Sequence, residues 1–287
     1  MNRYTIRLVI FSAALSLFFT GCDRAKKKGA ELLLRRTDSA RIAGDYALAY
    51  SLLDTLNNTY LTDTVSRREG ITLRKVIMLD EAKRNLNYID SVSPQLQQAI
   101  EKAMAGFVKV HNEEYNTTVE YYLPNLLPEK NLQRSYLRAS ANEYGGFILT
   151  SVYRGSRALD HTAVCLTPNG NLSPVYTSVV PYDDGLNYRY RDGGTYVELV
   201  TYPVAESMSI GDLFTQAVRE KLTIKMDYLA GENKVMNTIR LSAEDILAIS
   251  RTAELAHLLG EQNRLRKNAE TARKRIERLE SGKQIEN

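Results

Sequence analysis

Tryptophan is absent from these 287 residues, and histidine and cysteine are scarce, at three and two. Each scarcity removes a class of function. Metal sites built on imidazole or thiolate place their ligands at short, regular spacing. His111, His161 and His257 show no such spacing, so no metal is expected. His161 follows Asp160 and reads as part of a surface turn, and His257 reads as a solvated helix residue. Serine-nucleophile signatures are missing too: Gly155-Ser156-Arg157 lacks the second glycine of an elbow. There is no Ser-x-x-Lys and no glycine loop that cradles phosphate. No catalytic residue and no cofactor are expected. The acids that remain as candidates, Asp183, Asp184, Asp192 and Glu198, cluster in PYDDGLNYRYRDGGTYVE. Carboxylates distant in sequence can meet in space, but Asp-Gly is first of all turn chemistry.

Long apolar runs are also lacking. The apolar run near the start, Leu8 to Phe19, has twelve residues without a charge, against the roughly 20 a membrane-spanning helix needs. Arg3 and Arg7 precede it, and Thr20-Gly21-Cys22 follows. That order fits a cleaved secretory signal. The start resembles the lipobox of bacterial lipoproteins over residues 1–22, with Gly21 and Cys22 in place of that family's small residue and lipid-bearing cysteine. Phe19 departs from the usual leucine. The resemblance implies cleavage before Cys22, a diacylglycerol on its thiol, and attachment to a membrane of the bacterial envelope. Loss of Arg3 and Arg7 takes Lys+Arg from 38 to 36 against 34 Asp+Glu, a charge of +2. Such balance gives no reason to expect nucleic acid as a partner. Arg24, Lys26, Lys27 and Lys28 form a local basic tether beside the anchor, suited to anionic headgroups. No acid-rich start is present, which favours a periplasm-facing protein. Cys165 would then be the only free thiol, inert in the apolar run TAVCLTP.

Beyond the signal (1–21) and tether (22–29), three parts are expected. Residues 30–115 read as helical, with Tyr46, Ala49, Leu53 and Leu56 at helical steps. Gly44, Tyr46, Ala49 and Leu53 resemble the second half of a tetratricopeptide-type hairpin. A helix is expected over 65–91, with Leu73, Ile77, Leu86 and Ile89 inward, and a new one from Ser93-Pro94. Residues 130–241 change to period two. SYLRASAN, GGFILTSVY, TAVCLTP, PVYTSVV, LNYRYRD, TYVELVTY, KLTIKMDYLAG and NKVMNTIRL read as eight antiparallel strands in a sandwich or barrel, interrupted by a helix near 210–219. Residues 242–281 read as one long helix capped by Ser242. Its heptad face is Leu255, Leu258, Gln262, Leu265, Ala269, Ala272, Ile276 and Leu279. This is coiled-coil character, whose partner is either another chain or the helical part of this one. The fold class is α+β.

Tyrosine is plentiful, at 18. In TYVELVTY, Tyr196, Glu198, Val200 and Tyr202 share one face. If the opposite aliphatic side is core, a tyrosine surface looks outward, suited to a protein or a glycan. Four Asp-Ser/Thr-aliphatic triplets, at Ser39, Thr55, Thr64 and Ser91, resemble an O-glycosylation site of envelope proteins in one Gram-negative phylum. These features together lead to the expectation of a lipid-anchored, non-enzymatic interaction or scaffold module. Its partners are the membrane, through Cys22, and a protein or second copy, through the helical parts. The alternative is a glycan-binding module or a carboxylate-based hydrolase in the β part.

Overall fold

The structure, a computed structural model, describes residues 27–111, 118–183, 185–231 and 233–281. Cys22 and the signal-like run lie outside the described residues, as does Asp184. No helix among the described residues is long and apolar enough to cross a membrane. The architecture is α+β, with five helices and two antiparallel sheets among the described residues. The chain divides into two compact units, residues 1–91 with 268–287, and residues 92–267.

In the first unit, α1 (27–42) and α2 (Tyr46–Thr59) form a hairpin. Gly44, at φ +76°, makes the turn in a backbone region that favours glycine. Asp45 then caps α2 by accepting from Leu48 N at 3.0 Å. Ala30, Ala40, Ala49, Leu53, Leu56 and Ile77 close a small core, which uses the helical stripe anticipated in α2. α3 (Thr64–Ala103) begins in this unit. Its cap is Asp63, whose carboxylate accepts from Ser66 N and Oγ at 3.0 and 2.8 Å.

The new helix expected at Ser93-Pro94 does not start there, because α3 runs through Pro94. The proline removes one intrahelical bond, to the Asp90 carbonyl. Ile77, Ala82 and Ile89 before it and Ile100 after it are all buried. Burial of an amphipathic face, more than local propensity, holds a helix together.

α5 (Ala243–Glu280) also passes through both units. Ser242 caps it, accepting from Asp245 N at 3.0 Å. Polar side chains join it to α3 of the same chain. In the second unit Gln262, the polar residue of the seam, donates to Gln97 at 2.8 Å. In the first unit Glu280 pairs with Lys83 at 2.7 Å, and Arg275 lies 3.8 Å from Glu81. Leu255, Leu265, Ala269 and Ala272 are buried.

The second unit holds both sheets. One has the order β1 (Val108–Val110), β2 (Glu120–Tyr122), β3 (Tyr136–Asn142), β4 (Phe147–Gly155), β8 (Thr195–Tyr202), β7 (Asn187–Asp192). The other runs β10 (Lys234–Arg240), β9 (Ile224–Ala230), β5 (Ala163–Pro168), β6 (Val175–Tyr176). All eight expected strands are present, with β6 reduced to two residues, and neither sheet closes into a barrel. The helix expected near 210–219 is longer: α4 spans Val204–Glu220. Phe147, Leu149 and Val200 of the first sheet share one core with Leu166, Met226 and Tyr228 of the second, and with Phe214 of α4 and Ile249 of α5.

Gly145, in the β3–β4 turn, lies against Gly260 of α5. A Cβ on Gly145 would lie 2.1 Å from Gly260 N, so only glycine permits the approach. The constraint falls on Gly145, because a Cβ on Gly260 would meet Gly145 only at 3.8 Å, and α5 continues through Gly260.

Candidate functional site

β4 and β8 pair with Ser151 opposite Val200, Tyr153 opposite Glu198 and Leu149 opposite Tyr202. Side chains directly opposite share a face, so Ser151, Glu198 and Tyr202 point together into the core. The outward tyrosine face expected of β8 is not found. Glu198, Val200 and Tyr202 are buried, because this face packs towards the second sheet and α4. The exposed tyrosines Tyr188 and Tyr190 lie on the other face of β7, opposite Leu199 and Val197.

The turn entering β5 supplies the missing member. Asp160 takes φ +55°, a left-handed conformation that Asp tolerates better than most residues. Three successive N–H groups then converge on one carboxylate. Leu159 N and Asp160 N donate to Glu198 Oε1 at 2.6 and 2.9 Å, and His161 N donates to Oε2 at 3.0 Å. Such an anion-binding concavity is a backbone nest. His161 Nδ1 adds a fourth contact, 2.6 Å from Oε2. Burial opposes ionisation of Glu198, but the imidazole and the three backbone donors overcome it and hold the carboxyl at about 2. An ionised carboxylate only accepts, so Nδ1 carries a proton and Nε2 faces Ser151 Oγ at 2.8 Å. Tyr202 Oη lies 2.7 Å from the same Oγ. Burial raises the Tyr202 phenol far above its ordinary value, which keeps it a donor. With a neutral ring, the bonds run one way: Tyr202 to Ser151, Ser151 to His161, His161 to Glu198. Tyr228 closes one side of the imidazole, edge to face at 5.0 Å.

The surface-turn reading of Asp160-His161 is thus half right. Asp160 is exposed and pairs with Arg189 at 2.7 Å, whereas His161 is completely buried. Ser151, His161 and an acid in this order form the relay that activates a serine for acyl transfer. Activation also requires a reacting carbon about 3 Å from the hydroxyl. Ser151 is 0 % exposed, Glu198 1 % and Tyr202 2 %, so the hydroxyl meets only protein. As folded, the arrangement is a satisfied polar network that ties the 159–161 turn to two strands.

Among the described residues, the candidate acids Asp183, Asp192 and Glu198 have separate partners. Asp183 accepts from Gly185 N and Asn187 N at 3.0 and 2.9 Å, which lowers its carboxyl pKa and marks a turn. Asp192 pairs with Arg154 at 2.9 Å. Glu198 is the buried acid described above, and Asp184 lies outside the described residues. No group of three or more His, Cys, Asp or Glu that would hold a metal occurs among the described residues. Cys165 is buried beside Ala163 and Leu229, as its apolar run implied.

Ser39, Thr55, Thr64 and Ser91 are exposed on helices of the first unit. Three of their hydroxyls donate to their own helix: Ser39 to Arg35 O, Thr55 to Ser51 O, and Ser91 to Tyr88 O. The exposed aromatic surface gathers on β7. Tyr188 and Tyr190 stack at 5.6 Å, Arg189 covers Tyr182 at 5.0 Å, and Arg191 covers Tyr196 at 5.2 Å.

No protein-family model matches this chain, and no curated protein or solved structure matches it either.

Proposed function

We propose that this chain is a lipid-anchored protein of the bacterial cell envelope, held to the membrane through Cys22, facing the periplasm, and working as a non-enzymatic interaction or scaffold module. The sequence up to Cys22 supports the anchor. Closure of the Ser151-His161-Glu198 network supports the absence of catalysis, because this relay, suited to covalent chemistry, is sealed by the side chains that complete it. Exposed apolar side chains on the helices of the first unit, among them Ile42, Leu48 and Ile71, support a partner-binding role. Two measurements test this reading on the protein purified from membranes. Intact mass should show residues 22–287 carrying a diacylglycerol, and an unmodified Cys22 overturns the anchor. A fluorophosphonate probe should leave Ser151 unlabelled.

The geometry of that network also favours a second reading, a serine hydrolase that opens on binding. Its signature is different: covalent labelling of Ser151 in the wild type, and ester turnover lost in Ser151→Ala while the fold persists.

A further inference from the structure

The start of α1 lies against the turn between α2 and α3. A Cβ on Gly29 would lie 2.3 Å from Tyr60 Oη, and Lys27 is close enough to help lower the Asp63 carboxyl pKa. That turn and the first turn of α3 expose two large apolar side chains, Leu61 at 64 % and Val65 at 62 %. Val65 also forms part of a groove of about 500 Å³ along α3, with Arg68, Thr72 and Val76 among its lining. Single exposed apolar residues need no explanation, but a turn presenting two beside basic residues resembles a membrane-facing surface.

Lys27 is only five residues after Cys22. Five residues span at most about 18 Å. Resting on the lipidation of Cys22 proposed above, the start of α1 is therefore confined within that distance of the anchored cysteine, and the α2–α3 turn that it touches is held near the bilayer surface. Over residues 22–31 and 60–69 there are six basic residues and four acids. Asp63, one of those acids, is engaged as the cap of α3.

We infer that Leu61 and Val65 insert at the surface of an anionic bilayer, with Lys27, Lys28 and Arg68 on its headgroups. The lipid and this turn then form one two-point attachment. The two chains of the diacylglycerol hold the protein to the membrane, and the second contact fixes how the first unit is seated on it.

The test uses the full chain, processed in cells and reconstituted into vesicles of phosphatidylethanolamine and phosphatidylglycerol. An environment-sensitive fluorophore is placed on Leu61→Cys and, separately, on Ile42→Cys. Ile42 is exposed at the other end of α1, about 22 Å along the helix. The probe at 61 should shift to the blue and be quenched by brominated lipid, while the probe at 42 should behave as in water. Replacing Arg68 by Glu should weaken the quenching at 61 at low salt. If mass shows the lipid in place and the probe at 61 still reads as water, the seating is wrong and the anchor stands. If mass shows no lipid, the anchor is wrong, and the unlipidated chain decides the rest. Sedimentation of that chain with the same vesicles, lost in Leu61→Asp, supports the surface, and no sedimentation overturns it.

Discussion

Asp160 shows how one backbone conformation organises a core. Its left-handed φ turns three N–H groups onto Glu198, and the carboxylate then orients His161. The folded carboxyl, at about 2, lies below its ordinary value of 4.5. A depressed acid contributes stability that is complete above its unfolded pKa and lost as pH falls through the folded one. Glu198 thus contributes roughly 3 kcal/mol near neutrality, declining between about pH 4.5 and 2. Glu198→Gln should lower stability at pH 7 and flatten that acid limb, as read by urea unfolding across pH. None of this was visible in the sequence. Ser151 lies 10 positions before His161 and Glu198 lies 37 after it, and nothing in ALDHT announces which of Asp160 and His161 turns inward. Gly145 and Gly260 make a second test at this scale. Gly145→Ala places a Cβ on Gly260 backbone at φ +88° and should cost about 2–4 kcal/mol. At Gly260 a Cβ would sit 3.8 Å from Gly145, an ordinary contact. Gly260→Ala should therefore raise the melting temperature, by up to about 1 kcal/mol of helix propensity.

Among the elements, the longer strands were the most legible. Their alternation and turn residues marked eight, and β8 spans TYVELVTY as expected. β1 and β2 were missed because VKV and EYY are too short to show a period. The direction of β8 was misjudged for another reason. Val197 is buried as well as Val200, so both faces are covered and alternation carries little sign. In the helices the pattern was legible but the stop signal was not decisive, since Pro94 sits inside α3. Pro94→Ala restores a missing bond and removes a ring clash. It should stabilise the chain by about 2 kcal/mol, the interior proline penalty less the entropy lost to a freer unfolded chain, measured as a rise in melting temperature. The long helix α5 was read correctly, and its polar contacts with Gln97 and Lys83 of α3 emerged only in the structure. Leu265 is buried, so Leu265→Asp should lower thermal stability by several kcal/mol without altering sedimentation mass. A fall in mass would mean that the seam joins two chains instead.

At the scale of the molecule, one unit is continuous and the other is not: residues 1–91 close with 268–287 across an interval of 176 residues. Chains emerge from the ribosome, and from a translocation pore, in sequence order. The helices around Ile77 and Ala82 therefore appear early and wait for the last turns of α5. The second unit, residues 92–267, can settle in the meantime, because it needs nothing that comes later. Unfinished apolar faces are what chaperones hold and proteases cut. A chain stopped after Lys267 should keep a protected second unit while residues 27–91 become easily nicked, which pulse proteolysis followed by mass mapping would read. The last thirteen residues of α5 thus act as a completion signal, and the first unit stays unfinished until they have been made.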